Sequence, residues 1–320
     1  MRFPEAETTT EDEVTIPGGH LLVLVGPTAV GKTEIAIQLA LRLSGEIISA
    51  DSRLFYRGMD IGTAKPSMEE RRGIPHHLID IADPDETLSL AIFQQLARRA
   101  ISEVQELGQL PILVGGTGQY IRAVTRGWVI PPVEPTPRIR AALEAWGNQI
   151  GMEGLHARLA VLDPEAAMNI DPRNQRRTIR ALEVILTTGQ LFSALRGSRS
   201  SPYRLIMVGL RRPRPELYAR IDSRIDGMIQ AGFVQEVRTL LDQGYSPELP
   251  ALSAIGYREI IAYLQGKLTL EQAVSLMKRK SRIFVRRQAN WFKADDPQIH
   301  WFDITPATVQ KLETLLRSKL

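Results

Sequence analysis

The apolar run "HLLVLV" (20–25) feeds directly into "GPTAVGKTE" (26–34), and this junction constrains the fold more than any other stretch. Gly26 to Thr33 fits G-x-x-x-x-G-K-[ST], a strand that turns through a glycine-rich loop into a helix. Each part has a physical task. Gly26 and Gly31 let the backbone curl with its N–H groups inward, Lys32 supplies a point charge, and Thr33 offers a hydroxyl to Mg²⁺. The helix that starts there adds its positive end. An ordinary glycine-rich turn is the alternative, and the strand–loop–helix context disfavours it. The loop holds phosphates, but it does not by itself say whose.

The flanking pattern extends the same architecture. "EIISA" (46–50), "HLID" (77–80), "PILVGG" (111–116), "YRLIMVGL" (203–210) and "QIHWFD" (298–303) read as strands. "KTEIAIQLALRLS" and "LAIFQQLARRAISEVQELG" carry apolar residues at helical spacing. Strand–helix–strand alternation predicts an α/β fold, a P-loop NTPase-like core with a parallel sheet. A proline-rich break, "GWVIPPVEPTPRIR", then opens a stretch with helical patterns only, until "RGSRSSPY" returns the chain to a strand. The expected organisation is a tail over 1–18, a core over 19–128 and 203–320, and an all-helical insertion over 129–202.

With 320 residues, 43% of them hydrophobic, the chain can bury a sizeable core. The absence of cysteine excludes disulfides, zinc thiolate sites and cysteine nucleophiles. A formal charge of +4 permits a polyanionic partner without requiring one. The polar, acidic N-terminus has no signal-peptide core, and no stretch nears the roughly 18 apolar residues of a membrane span. A cytoplasmic monomer is expected. His76 and His77 are neighbours on an expected strand and point to opposite faces, a poor metal pair.

Nucleotide hydrolases usually place a Mg²⁺-binding acid at the end of a neighbouring strand. Here "PILVGGTGQY" ends in glycines and Thr117, with no carboxylate. The acid that does end a strand is Asp51, in "EIISADSRLFY". In a doubly wound sheet the carboxyl ends of the strands form the ligand crevice, so Asp51 and the loop face the same space. A turn-capping role for Asp51 is equally open at this point. Arg220 and Arg224, four apart in "LYARIDSRID", share one helix face.

"GPTAVGKTE", "ISADSRLFYRGMDIGTAKP", "PHHLID", "LPILVGGTGQY", "RTIRALEV" and "IGYRE", in this order, closely resemble the tRNA dimethylallyltransferases over about residues 20–303. The resemblance implies transfer of the dimethylallyl group of dimethylallyl diphosphate to N6 of adenosine 37 in tRNAs that read codons beginning with U, with Mg²⁺ and without ATP. It implies a diphosphate grip of Gly26, Pro27, Thr28, Ala29, Val30, Gly31, Lys32, Thr33, Arg220 and Arg224, with the metal on Thr33. Asp51, Thr117, Lys32 and Arg224 carry the catalytic roles. The tRNA contacts implied are Asp51, Ser52, Arg53, Leu54, Thr117, Arg140, Arg176, Arg177, Thr178, Ile179 and Arg180. "MKRKSRIFVRRQANWF" (277–292) offers a second basic surface, and a solvated helix face explains half of it. Gln119 and "PRNQRR" depart from the family pattern. The rival readings are a small-molecule kinase, an isopentenyltransferase acting on free adenine nucleotides, and an RNA-binding protein with a relic loop.

Overall fold

A computed structural model of the chain describes residues 19–131, 136–195, 197–198 and 200–320. The expected tail, 1–18, lies outside the described residues. β1 (His20–Val25) is buried from Leu21 onward. It lies between two parallel neighbours, which is why its residues do not alternate with polar ones. α1 (Lys32–Leu43) opens on Gly31, whose φ of 108° is a conformation glycine adopts without strain. β2 (Gly45–Ser49) follows, then a long turn segment and the short β3 (His76–His77). α2 (Leu90–Glu106) is capped by the Ser89 hydroxyl, which accepts from Ile92 N–H. β4 (Leu110–Gly115) leads through Thr117 into α3 (Gly118–Thr125).

The sheet is completed by β7 (Arg204–Arg211) and β8 (Ile299–Asp303), giving the all-parallel order β3-β2-β4-β1-β7-β8. Between the last two strands run α8 (Arg214–Gln230), α9 (Phe233–Asp242), a 3₁₀ turn (Ala251–Ser253), α10 (Tyr257–Leu264) and α11 (Leu270–Gln288). α12 (Thr308–Arg317) closes the chain against α1. The carboxyl ends of β1, β2 and β4 thus lie side by side.

Residues 77–80 do not form the expected strand. Only His76 and His77 pair with β2, and positive φ at Leu78 (61°) and Asp80 (56°) turns the chain out of the sheet. There Asp80 N–H donates to Leu54 O at 3.1 Å, and its carboxylate meets Lys65. The two histidines part company: His77 Nε2 lies 2.6 Å from Glu46 Oε2, and His76 Nδ1 lies 2.8 Å from Ile74 O. No cluster of three or more potential ligands is present among the described residues.

The chain leaves the core through β5 (Trp128–Val129) and returns through β6 (Gly197–Ser198), an antiparallel pair that the helical pattern did not foreshadow. Between them lie α4 (Pro137–Leu162), α5 (Pro164–Met168), α6 (Gln175–Thr188) and α7 (Phe192–Leu195). α4 is interrupted at Gly151, where φ 77° and ψ 164° are not helical. Leu143, Leu155, Leu159, Ile170, Ile179 and Leu182 form a second apolar core, separate from that of the sheet.

Glu183 ties this subdomain together. Its carboxylate is 0% exposed and accepts from Arg140 Nη2, Arg180 Nη1 and Thr136 N–H, each at 2.8 Å. Burial opposes the charge, but the hydrogen bonds from the two arginines outweigh it and hold the carboxyl below its ordinary value. Glu183→Ala is expected to destabilise the protein by about 2–3 kcal/mol, moderated because both arginines keep some solvent contact. Denaturant titration should show this as a lowered midpoint; an unchanged midpoint would mean the link contributes nothing.

Candidate active site

Three turns meet at the carboxyl ends of β1, β2 and β4. α8 and α11 close the opposite side, leaving a cavity of about 570 Å³. Its polar lining includes Thr28, Asp51, Thr117 and Arg224, and its apolar wall includes Ile221, Ile225 and Met228 of α8 and Met277 and Phe284 of α11. A volume of this size suits a small organic ligand.

The phosphate loop is held by cations. Lys32 Nζ donates to Gly26 O and Pro27 O, both at 2.9 Å. Arg220 Nε donates to Ala29 O at 2.8 Å and Arg212 Nε to Val30 O at 3.0 Å. Arg220 therefore braces the loop from its carbonyl side. Gly31 makes no side-chain cap, so the first N–H groups of α1 are left for a ligand. Burial pushes the Lys32 ammonium down to about 8; Asp51 opposes that shift and Arg224 adds to it. Arg224 is likewise lowered by burial and by Arg220, with Asp51 acting against them. Lys32 thus senses the charges of both Asp51 and Arg224.

Asp51 fulfils both readings open to it. Its Oδ1 accepts from Arg53 N–H at 3.1 Å, capping the turn, while the residue lines the cavity. Ser52 and Arg53 also line it, and Arg53 Nη1 reaches Pro250 O and Ala251 O at 3.2 Å. Leu54 is half-buried and accepts from Asp80 N–H. Thr117 stands at the start of α3, with Gln119 beside it on the cavity lining. The Thr33 hydroxyl is exposed and has no partner among the described residues. A single hydroxyl is a hard oxygen donor, which fits Mg²⁺ arriving with a diphosphate better than a cation caged by protein.

Within the helical insertion, the residues that the resemblance assigns to tRNA divide into three groups. Arg176 and Arg177 are exposed on α6. Arg140 and Arg180 bond to Glu183. Thr178 and Ile179 are 1% and 4% exposed, so their side chains face the protein interior and are not available to RNA. Helical periodicity is the reason: two consecutive residues of a five-residue stretch must turn inward. Of the second basic run, Lys278 pairs with Asp226, Lys280 with Glu259 and Arg282 with Asp222, leaving Arg279, Arg286 and Arg287 exposed.

Several shaping residues escaped the sequence reading. Tyr120 stacks on Phe55 and Phe93, with centroids 5.9 and 4.4 Å away, and its hydroxyl is pushed up to about 12 by burial, so it stays neutral. Glu236 accepts from the N–H groups of Asp60, Ile61 and Gly62 at 2.9, 2.6 and 3.1 Å and from Tyr257 Oη at 2.6 Å. That carboxylate shapes the turn whose Gly62 and Thr63 line the cavity. Gln288 bonds Thr28 N–H and Gly116 O. A carboxylate or amide that binds backbone across such sequence distance leaves no periodic signal.

Residues 54–295 match the IPP transferase family. The tRNA dimethylallyltransferase of Thermomicrobium roseum is 51% identical over 285 residues, covering 89% of this chain and 86% of the relative. That of a Roseiflexus species is 52% identical over 273 residues, with 85% and 90% covered. Among solved structures, the tRNA isopentenylpyrophosphate transferase of Bacillus halodurans superposes with a TM-score of 0.70 at 44% identity, covering 94% of this chain and 96% of its own. A eukaryotic dimethylallyltransferase acting on tRNA gives 0.76 at 27% identity, with 94% and 78% covered. A family match across most of the chain, on a sheet whose loop, acid and arginine converge on one cavity, makes this protein a member of the IPP transferase family.

Proposed function

We propose that this protein transfers the dimethylallyl group of dimethylallyl diphosphate to N6 of adenosine 37 in tRNAs that read codons beginning with U. The observation that carries the reading is one cavity lined by a phosphate loop, Asp51, Thr117, Arg224 and an apolar wall. It is supported by the names of relatives about half identical to this chain. We take the protein to act as a cytoplasmic monomer; no helix among the described residues is long and apolar enough to cross a membrane.

Adenine N6 is a weak nucleophile, because its lone pair is delocalised into the ring. As N6 attacks the allylic carbon, the carbon–oxygen bond breaks and the diphosphate leaves with its electron pair. The N6 proton passes to the Asp51 carboxylate, acting as general base. Thr117 orients the base. Lys32, Arg224 and the N–H groups at the start of α1 meet the charge that develops on the leaving oxygens. Thr33 would hold a Mg²⁺ ion, which supplies further charge neutralisation on the diphosphate. The apolar residues of α8 and α11 enclose the five-carbon chain and keep water from the reactive carbon. Arg176 and Arg177 contact RNA phosphates, which position the anticodon arm without reading its sequence. The adenine leaves the loop's stack, at a cost of a few kcal/mol, to reach the cavity.

With unmodified tRNA, labelled dimethylallyl diphosphate and Mg²⁺, label should enter the tRNA with ATP omitted. Asp51→Ala should lower the rate by about 10²–10⁴-fold while tRNA binding persists. ATP consumption with a small acceptor, and no label in any tRNA, would overturn the proposal.

Lys32 sets a pH dependence. The anion binds the ammonium form, and burial holds that group near 8 in the free protein. Below that value the charge is already present. Above it each binding event must take up a proton, so affinity falls by up to about tenfold per pH unit. Calorimetric titration with inorganic diphosphate between pH 7 and 9.5 should show this decline with proton uptake. An affinity flat through pH 9 would contradict it.

A further inference from the structure

β1 and β4 run parallel, and their ladder ends at Val25↔Gly115. Beyond this pair the chains diverge, one into the phosphate loop and the other into the Gly116–Thr117 turn. Among the described residues no backbone hydrogen bond joins them there. Gln288, the last residue of α11 and 7% exposed, supplies the next rung. Its Oε1 accepts from Thr28 N–H at 2.8 Å, and its Nε2 donates to Gly116 O at 3.2 Å. The orientation of the amide is forced, because an N–H only donates and a carbonyl only accepts; a flipped amide makes neither bond. The opposing position is fitted to it: a Cβ on Gly116 would lie 2.4 Å from Gln288 Nε2.

We propose that Gln288 is a positioning residue for the transfer: it holds the diphosphate-gripping loop and the Thr117 turn at one fixed separation. The leaving group and the acceptor base are then presented to each other at a set distance and angle. The catalytic part of this inference rests on the reaction proposed above; the bridge itself does not. Misplacement by about 1 Å between reacting groups can lower a rate by about 10²-fold, and that loss falls on kcat.

Gln288→Leu removes both bonds. Gln288→Glu keeps an acceptor for Thr28 N–H but sets an oxygen against Gly116 O. Gly116→Ala pushes on the same amide from the other side. Amide hydrogen exchange of the full chain without substrates should speed up at Thr28 in Gln288→Leu and stay slow in Gln288→Glu. In all three variants kcat should fall by about ten- to a hundredfold, with KM for both substrates within about threefold of the parent. Gln288→Leu combined with Gly116→Ala should be no slower than the worse single variant, since both break one bridge. Unchanged exchange at Thr28 in Gln288→Leu would overturn the bridge. Faster exchange with unchanged kcat, a loss confined to KM, or multiplying effects in the double variant would overturn the positioning role. A parent protein that transfers nothing would remove the reaction and that role with it, while exchange at Thr28 would still report the bridge.

Discussion

The cations that hold the carbonyl edge of the phosphate loop are the condition on which the site depends. Lys32 is held below its ordinary value by burial, with Asp51 opposing the shift. Lys32 donates to the carbonyls of Gly26 and Pro27. Arg220 and Arg212 hold the next two carbonyls, those of Ala29 and Val30. The loop is therefore shaped by cations on its carbonyl edge, while the uncapped start of α1 keeps its N–H groups for the ligand.

The turn segment that carries Gly62 and Thr63 is held by carboxylates and one buried lysine rather than by apolar packing alone. Lys65, whose side chain is 4% exposed, gathers Tyr56 O and the carboxylates of Asp60 and Asp80. Glu236 gathers three successive N–H groups of the same turn. Left unpaired, the buried Lys65 ammonium would carry a desolvation penalty of about 1–3 kcal/mol or more. Tied together, these groups hold an irregular segment in one conformation. "DSRLFYRGMDIGTAKP" is so distinctive for this reason: its polar residues are fold determinants as well as neighbours of the site.

The sheet, the phosphate loop and the helical insertion were legible because each has a local signature: apolar runs, glycine spacing, or three- and four-residue periodicity. What escaped was set by contacts distant in sequence. Residues 77–80 look like a strand, yet Asp80 is drawn out of the sheet by Lys65 and Leu54 O. The β5–β6 pair is two residues on each side, below any periodic threshold. In "RRTIR" the resemblance gave a contiguous segment a single role, whereas α6 divides it between exposed arginines, an arginine on Glu183 and two inward residues. Gln288 stood in a run whose basic residues carried the signal, and nothing local marks a neutral amide as the link between two loops.

The missing acid at the end of β4 separates the transferase from the kinase on steric grounds. A Cβ at Gly115 would lie 2.5 Å from Ala50 O, because the turn carrying Asp51 passes directly over that position. A Cβ at Gly116 would strike Gln288. A carboxylate side chain at Gly115 would have to displace the Asp51 turn, and one at Gly116 the Gln288 side chain. Beside Gly115 the space is taken by the backbone of the Asp51 turn. What the cavity offers instead is a carboxylate and a hydroxyl on one side of the loop and an apolar wall on the other. That arrangement suits the proposed transfer, in which an acceptor loses a proton, a carbon electrophile is sheltered and the diphosphate leaves intact.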